Sequence, residues 1–455
     1  MKGTTIAAIS TPVGSGGIGM IRISGEEAIA VAERVFHPYG GKELDKQKGY
    51  TGCLGKIWDG DEPVDEAIAF VYRAPKSYTG ENVVELSCHG GVYVMQRVLR
   101  LCLKHGARPA EPGEFTKRAF LNGKMDLVQA ESVMQLIQAQ GDAAMRAALS
   151  TRDGAVSREI EAVSDVLLEQ AAHLAAWADY PEEDLIPVDE TALQAALAQV
   201  EQRLQKLLAT CDGGRVVKEG VRTAIVGKPN VGKSTLMNLL AGEEKSIVTD
   251  IPGTTRDVVE DSVRMGDLVL HLYDTAGIRD TEDVIEQIGV EKARNVLEST
   301  DLVLAVFDSS QELGTYDWEI METLREKPVI AIVNKIDMPR QLDMDAIEQR
   351  FSDVVALSAR SGDGMSRLEE RIREKIHVDK LDASQPILSN ERQRAAVAAA
   401  LESVTLARGA LQGGMTYDAI NVELDFALEA LMELVGKRVT DAVVDQVFHQ
   451  FCVGK

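Results

Sequence analysis

Gly227-Lys-Pro-Asn-Val-Gly232-Lys233-Ser234 constrains this chain more than any other stretch, because it fits G-x-x-x-x-G-K-[ST] directly after the apolar run Arg222 to Val226. A helix-like Thr235 to Leu240 follows, so strand, loop and helix stand in the order that such a loop requires. Glycines let backbone N–H groups wrap phosphates, and the helix N-terminus adds positive potential. Asn230, Val231, Gly232, Lys233, Ser234 and Thr235 are the candidate phosphate contacts. Lys233 has the reach for β and γ oxygens, and the Ser234 hydroxyl is a candidate ligand of Mg2+. A Gly-rich turn without a ligand is the plain alternative, and only further segments at fitting distances exclude it.

Such segments follow in order. Asp274-Thr275-Ala276-Gly277 closes the run Leu268 to Tyr273, placing a carboxylate where it can hold Mg2+ and a glycine N–H where it can sense a γ-phosphate. Asn334-Lys335-Ile-Asp337 ends the run Val329 to Val333. A carboxylate there can accept from the N1 and N2 hydrogens of guanine, which adenine does not supply, so GTP is the expected substrate. Ser358-Ala359, with Arg360 beside it, follows Val354 to Leu357 and completes the base pocket. Between the first loop and Asp274 lies Thr249-Asp250-Ile251-Pro252-Gly253-Thr254-Thr255, a turn-forming stretch with several hydroxyls. Thr255 is the candidate second protein ligand of Mg2+, in a switch loop ordered by the γ-phosphate.

A chain of 455 residues exceeds what one hydrophobic core usually serves. From Val221 to about Glu374 short apolar runs alternate with helix-like stretches, which implies a parallel sheet. From Lys2 to about Arg118 short β-like runs, Thr5 to Ser10, Gly19 to Ile23, Ala67 to Tyr72 and Val83 to Cys88, suggest a separate α/β domain. After Asp126 apolar residues recur at helical spacing, as in Leu193, Leu197, Val200, Leu204 and Leu207, until Cys211-Asp-Gly-Gly breaks the pattern. Helical period returns beyond Pro386 with Val397, Leu401 and Val404. Two half-bundles flanking an insertion can cover each other's apolar stripes. The predicted fold is therefore multidomain, α/β and all-α: an N-terminal α/β domain at 1–120, a helical domain split into 121–217 and 377–455, and a Ras-like P-loop GTPase domain inserted at 218–376.

No apolar run approaches the ~20 residues that span a bilayer, and the N-terminus lacks the order of a signal peptide, so a cytoplasmic protein without a membrane partner is expected. Cys53, Cys88, Cys102, Cys211 and Cys452 are scattered and form neither a zinc pattern nor a disulfide framework. The formal net charge of −23 opposes nucleic acid as a whole, so an RNA partner must meet a local basic patch or arrive with a second protein.

The domain order, the terminal Phe448-His-Gln-Phe-Cys452-Val-Gly454-Lys455, the stretch Pro112-Gly-Glu-Phe-Thr-Lys-Arg-Ala-Phe120-Leu-Asn-Gly-Lys124 and the Gly253-Thr-Thr-Arg-Asp257 switch resemble the MnmE (TrmE) family of bacterial tRNA-modifying GTPases. The resemblance covers the whole chain. It implies a homodimer that works with the flavoprotein MnmG, as a heterotetramer, on the wobble uridine of certain tRNAs. There it would install a carboxymethylaminomethyl or aminomethyl group at C5. It also implies an N-terminal domain that binds 5-formyl- or 5,10-methylene-tetrahydrofolate as the one-carbon source, through Arg22, Glu85, Lys124 and Lys455. Read from the residues alone, Glu85 and Lys124 are more often solvated charges. Cys452 reads both as a thiol assisted by Lys455 or His449 and as a packed small residue.

Ras-type GTPases place a glutamine after D-x-x-G to orient water, whereas this chain has Ile278. The family resemblance gives the role to Glu286, which also reads as one acid in a solvated segment. No arginine finger is assigned in cis. The resemblance supplies K+ in its place, held by Asn230 and the backbones of Thr249, Ile251 and Thr254. A ribosome-assembly GTPase, which shares the same loop, is the alternative reading, although such proteins usually append a basic RNA-binding domain.

Overall fold

The computed structural model describes residues 3–41, 43–179, 187–242, 261–266, 268–274, 300–325, 327–376 and 385–455, which divide into two compact units. The first unit comprises residues 1–134 and 428–455. Its strands are β1 (Ile6–Ile9), β2 (Gly19–Ser24), β3 (Phe36–Pro38), β4 (Thr51–Asp59), β5 (Glu62–Tyr72), β6 (Val83–Cys88) and β7 (Arg108–Pro109), in the sheet order β3-β4-β5-β6-β2-β1-β7. Alternation along β2 and β6 sends Ile21, Ile23, Val84 and Leu86 into a core with helices α1 (Ala28–Val35) and α2 (Val92–Lys104). Arg22 and Glu85, which are register partners, lie at the intervening positions.

Helix α3 (Glu114–Leu121) accounts for much of the Pro112 to Lys124 stretch. Glu114 is 1% exposed and accepts from Arg118 at 3.0 Å and from Arg108, while Arg118 also pairs with Glu81 at 3.0 Å. Two arginines and two carboxylates thus satisfy one another where isolated charges would be costly. Just before α3, Gly113 has φ 69°, and a Cβ there would stand 2.6 Å from the carbonyl of Phe448. Gly113 and Phe115 donate their N–H groups to the carbonyls of Cys452 and Lys455, at 3.3 and 3.2 Å. The helix Asp441–His449 brings Val444 and Phe448, and Phe451 after it, onto Leu127, Ala130 and Met134.

The second unit comprises residues 135–427. Helices α4 (Leu127–Gln138, entering from the first unit), α5 (Asp142–Arg152), α6 (Ala155–Asp179), α7 (Glu190–Leu208) and α8 (Cys211–Glu219) precede a six-stranded sheet. That sheet contains β8 (Val221–Val226), β9 (Asp261–Met265), β10 (Leu268–Asp274), β11 (Leu302–Asp308), β12 (Val329–Asn334) and β13 (Val354–Ala356), in the order β13-β12-β11-β8-β10-β9. All pairings are parallel except β9 with β10. Every residue of β11 and β12 is buried, as expected for parallel strands covered on both faces. One cover is built on Leu236, Leu240, Leu368 and Ile372, the other on Met321, Leu324, Ile347 and Phe351. The helical stripes on either side of this sheet segment meet as expected: α7 packs along the helix Glu391–Gln412, and Arg408 pairs with Glu201 at 2.8 Å.

The helix α7 does end at Leu208, but Cys211-Asp-Gly-Gly is not itself the break, because α8 begins there. Gly214 serves close packing instead: a Cβ at that position would stand 2.3 Å from the carbonyl of Leu388. The strands β3, β4, β7 and β9 were not expected either. Glycine and lysine interrupt the apolar alternation in Thr51-Gly-Cys-Leu-Gly-Lys-Ile-Trp-Asp59, and the remaining three are two to five residues long.

Candidate functional site

The loop from Gly227 to Gly232 joins β8, an interior strand of the sheet, to α9 (Lys233–Gly242), so it presents its backbone at the C-terminal end of a parallel strand and at a helix N-terminus together. Three residues adopt the geometry that this wrap needs. Gly227 has φ 158°, Asn230 φ 63° and Gly232 φ 98°. A Cβ at Gly232 would stand 2.3 Å from Asn334 Nδ2, so only glycine fits. The Lys233 ammonium lies over the loop, donating to the carbonyls of Gly227 at 2.8 Å and Lys228 at 2.9 Å. Val231 is buried, whereas Asn230, Ser234 and Thr235 are exposed. An exposed hydroxyl at the start of α9 and an exposed amide oxygen in the loop are the hard, neutral oxygen donors that Mg2+ and K+ take.

Asn334, 2% exposed, ties three of the expected segments together. Its Nδ2 donates to the carbonyl of Val231 at 2.8 Å, and its Oδ1 accepts from the N–H groups of Lys335 at 2.8 Å and Ala359 at 2.9 Å. Lys335, in the left-handed region at φ 64°, donates to the carbonyl of Asn230 at 2.8 Å and to Asp308 Oδ2 at 2.6 Å. Burial of Asp308 works against its charge, but the bonds from Lys335 and from both the hydroxyl and the N–H of Ser310 outweigh that and hold its carboxyl below the ordinary range. Asp308 is thus a part of the site that motif spacing does not reveal. A buried acid at the end of a continuous apolar strand is the signal that could have found it.

Asp337 is exposed, and its Oδ1 accepts from the Ser358 hydroxyl at 2.7 Å. That bond is the main reason its carboxyl lies below the usual range, with Arg360 contributing charge. Asp337 is therefore ionised and oriented, as an acceptor for guanine N–H groups must be. Ala359 is buried beneath and Arg360 is exposed beside it. The structure thus brings Asn230, Val231, Gly232, Lys233, Asn334, Lys335, Asp337, Ser358 and Ala359 into one connected site. Asp274 is the last residue of β10, whose strand pairs with β8. Thr249, Asp250, Ile251, Pro252, Gly253, Thr254, Thr255, Thr275, Ala276, Gly277 and Glu286 lie outside the described residues.

In the first unit, Arg22 donates from Nε to Glu85 Oε1 at 2.9 Å and from Nη1 to the carbonyl of Gly454 at 3.2 Å, with its guanidinium over the rings of Tyr78 and Phe115. Glu85 also accepts from the Tyr72 hydroxyl at 3.3 Å. Gly454 takes the positive φ of 96° that lets its backbone approach Ile9 and Ser10. Two of the four expected folate residues therefore meet at the chain's terminal segment, and the carbonyl of Lys455 is bonded to Phe115. Lys124 is exposed, and its ammonium donates to the carbonyl of Pro75 at 3.1 Å. Arg22 is committed to an ion pair with Glu85. Cys452 is exposed.

No helix among the described residues is long and apolar enough to cross a membrane. A family model described as the GTP-binding protein TrmE N-terminus matches residues 5–124, and one described as the MnmE helical domain matches residues 127–452. The tRNA modification GTPase MnmE of Clostridioides difficile (strain 630) is 40% identical over 454 residues, covering 99% of each chain. That of Lactiplantibacillus plantarum is 43% identical over 458 residues, covering 99% of this chain and 98% of the relative. The solved G domain of the T. maritima FeoB iron transporter is 31% identical over 34% of this chain and 98% of its own, with a TM-score of 0.27 that carries no weight. End-to-end identity at this level, together with the two matched domains, places the chain in the MnmE (TrmE) family of GTPases.

Proposed function

We propose that this chain hydrolyses GTP in the service of tRNA modification, acting on the wobble uridine U34. The observation that carries the reading is the convergence of the phosphate loop, the Asn334 to Asp337 loop and the Ser358-Ala359 turn on the buried amide of Asn334. An ionised Asp337 at the mouth of that assembly selects guanine. Relatives sharing about two fifths of their residues over the full length are tRNA modification GTPases, which supports tRNA as the partner substrate.

The finer assignments belong to the same proposal. Ser234 and Thr255 hold Mg2+, and Asn230 with the backbones of Thr249, Ile251 and Thr254 holds K+, which supplies charge where no arginine finger is assigned. Glu286 positions the attacking water. Single-turnover hydrolysis by Glu286→Ala at saturating GTP tests that role, since a solvated acid would leave the rate within a few-fold. Arg22, Glu85, Lys124 and Lys455 bind the tetrahydrofolate one-carbon donor; the pairing of Arg22 with Glu85 beside the Gly454 carbonyl supports a built polar site there. The protein works in the cytoplasm as a homodimer with MnmG, in the four-segment arrangement 1–120, 121–217, 218–376 and 377–455. The deciding experiment is mass spectrometry of wobble nucleosides in tRNA from cells lacking the gene. Loss of the C5 modification is expected, and unchanged U34 sinks the reading.

A further inference from the structure

The phosphate loop carries a second lysine. Lys228, directly after Gly227, donates from Nζ to Asp317 Oδ2 at 3.0 Å. Asp317 is 1% exposed and lies in the first turn of the helix Thr315–Thr323, where the same oxygen accepts from the Gly314 N–H at 2.9 Å. Its other oxygen, Oδ1, is buried and has no hydrogen-bond partner among the described residues. A buried carboxylate with half of its acceptor capacity unfilled depends on the cation brought to it, and that cation is Lys228. The lysine is therefore no solvated charge. Its side chain is anchored on a neighbouring helix while its carbonyl accepts from Lys233 at 2.9 Å.

We propose that Lys228 and Asp317 are positioning residues of the nucleotide site, their ion pair fixing the first turn of the phosphate loop so that its N–H groups face the phosphates. This rests on the reading of that loop as a guanine-nucleotide cradle. Lys233 has a third N–H for a phosphate beside its bonds to the Gly227 and Lys228 carbonyls, and the pair with Asp317 restrains the start of the loop as Asn334 and Lys335 restrain its later residues. GDP and GTP both place phosphate in the loop, so the restraint acts on the binding of both, with little left for the hydrolytic step.

The test titrates the full chain with a fluorescent GDP analogue and a non-hydrolysable GTP analogue, and measures single-turnover hydrolysis at saturating GTP and the thermal midpoint. Lys228→Met should weaken both affinities about tenfold, the scale of one lost hydrogen bond to a charged group, with the saturating rate within a few-fold of wild type. Lys228→Arg should restore affinity, because a guanidinium keeps the pair. Lys228→Met also strands the Asp317 charge and lowers the midpoint, so the double variant Lys228→Met with Asp317→Leu separates folding from positioning. Removing both charges should recover the midpoint except for the part owed to the Gly314 N–H bond that Asp317 accepts, but leave affinity weak. Wild-type affinity in that double variant overturns the proposal, and so does a loss confined to the saturating rate. Failure of the unaltered chain to bind either analogue is a separate outcome. It overturns the cradle reading itself, and this proposal with it, before any variant is compared.

Discussion

Asn334 donates its side-chain amide to the carbonyl of Val231 at 2.8 Å, joining two loops that lie 103 residues apart in the chain. The same side chain accepts from Lys335 and Ala359, so one residue sets the distance between the phosphate loop and the base pocket. Asn334→Ala would leave these buried partners unsatisfied, at about 1–3 kcal/mol for each group that finds no substitute. Affinities for GDP and GTP should fall together by about ten- to a hundredfold. Equilibrium titration checks this, and a variant that bound normally would mean that the loops hold their spacing without the amide.

Asp337 is oriented by Ser358 and held ionised. In Asp337→Asn the amide N–H opposes guanine N–H, so GTP affinity should drop by at least about a hundredfold, as expected when buried donors lose their partner. Xanthosine triphosphate, which offers an acceptor in place of the guanine amine, should gain relative to GTP. Competition between the two nucleotides measures the switch.

Asn230 combines an exposed amide with a left-handed backbone at φ 63°. Asn230→Ala would confuse loss of a ligand with strain, because alanine resists that conformation by about 1–2 kcal/mol. Asn230→Gly keeps the backbone free and removes only the amide. Its GTP hydrolysis should no longer run faster in potassium than in sodium at equal ionic strength. Full potassium stimulation in the glycine variant would take the ion away from this residue.

Glu114 is buried between Arg108 and Arg118. Burial pushes its carboxyl up, but the bonds from Arg108, the Glu111 N–H and Arg118 outweigh that and hold it below the ordinary glutamate range. Its contribution to stability is therefore complete above the unfolded value, about 4.3, and is lost as pH falls through the lower folded value. Glu114→Gln should cost about 1.5–3 kcal/mol at neutral pH, the scale of hydrogen bonds to charged groups. The gap between the thermal midpoints of wild type and variant should close as pH is lowered. A gap that persisted undiminished in acid would show that packing, and not ionisation, makes the difference.

Much of the parallel sheet was legible because β11 and β12 are buried on both faces and so read as nearly continuous apolar runs, while β8 and β10 are interrupted only at Arg222 and Thr223 and at His271. The loops at their ends were legible for a different reason, since phosphate and guanine each demand particular donors at fixed spacing. Asp308, Lys228 and Asp317 were not. Lys335 meets Asp308 across 27 residues and Lys228 meets Asp317 across 89, and no local pattern reports a pairing made only when strands and helices come together. Gly214 misled for the opposite reason, because a glycine that admits a neighbouring backbone looks in sequence like one that ends a helix.

The first unit is assembled from two stretches separated by residues 135–427, and its cluster of Leu127, Ala130 and Met134 is closed by Val444, Phe448 and Phe451. During synthesis, at the usual ribosomal rate, these early apolar residues wait roughly fifteen seconds to a minute for their late partners. The intervening unit has all of its own strands within that interval and is free to fold first. A nascent chain stalled anywhere before Val444 consequently carries an unclosed apolar seam, which makes the emergence of Val444, Phe448 and Phe451 the step that ends this seam's exposure to aggregation and chaperone capture.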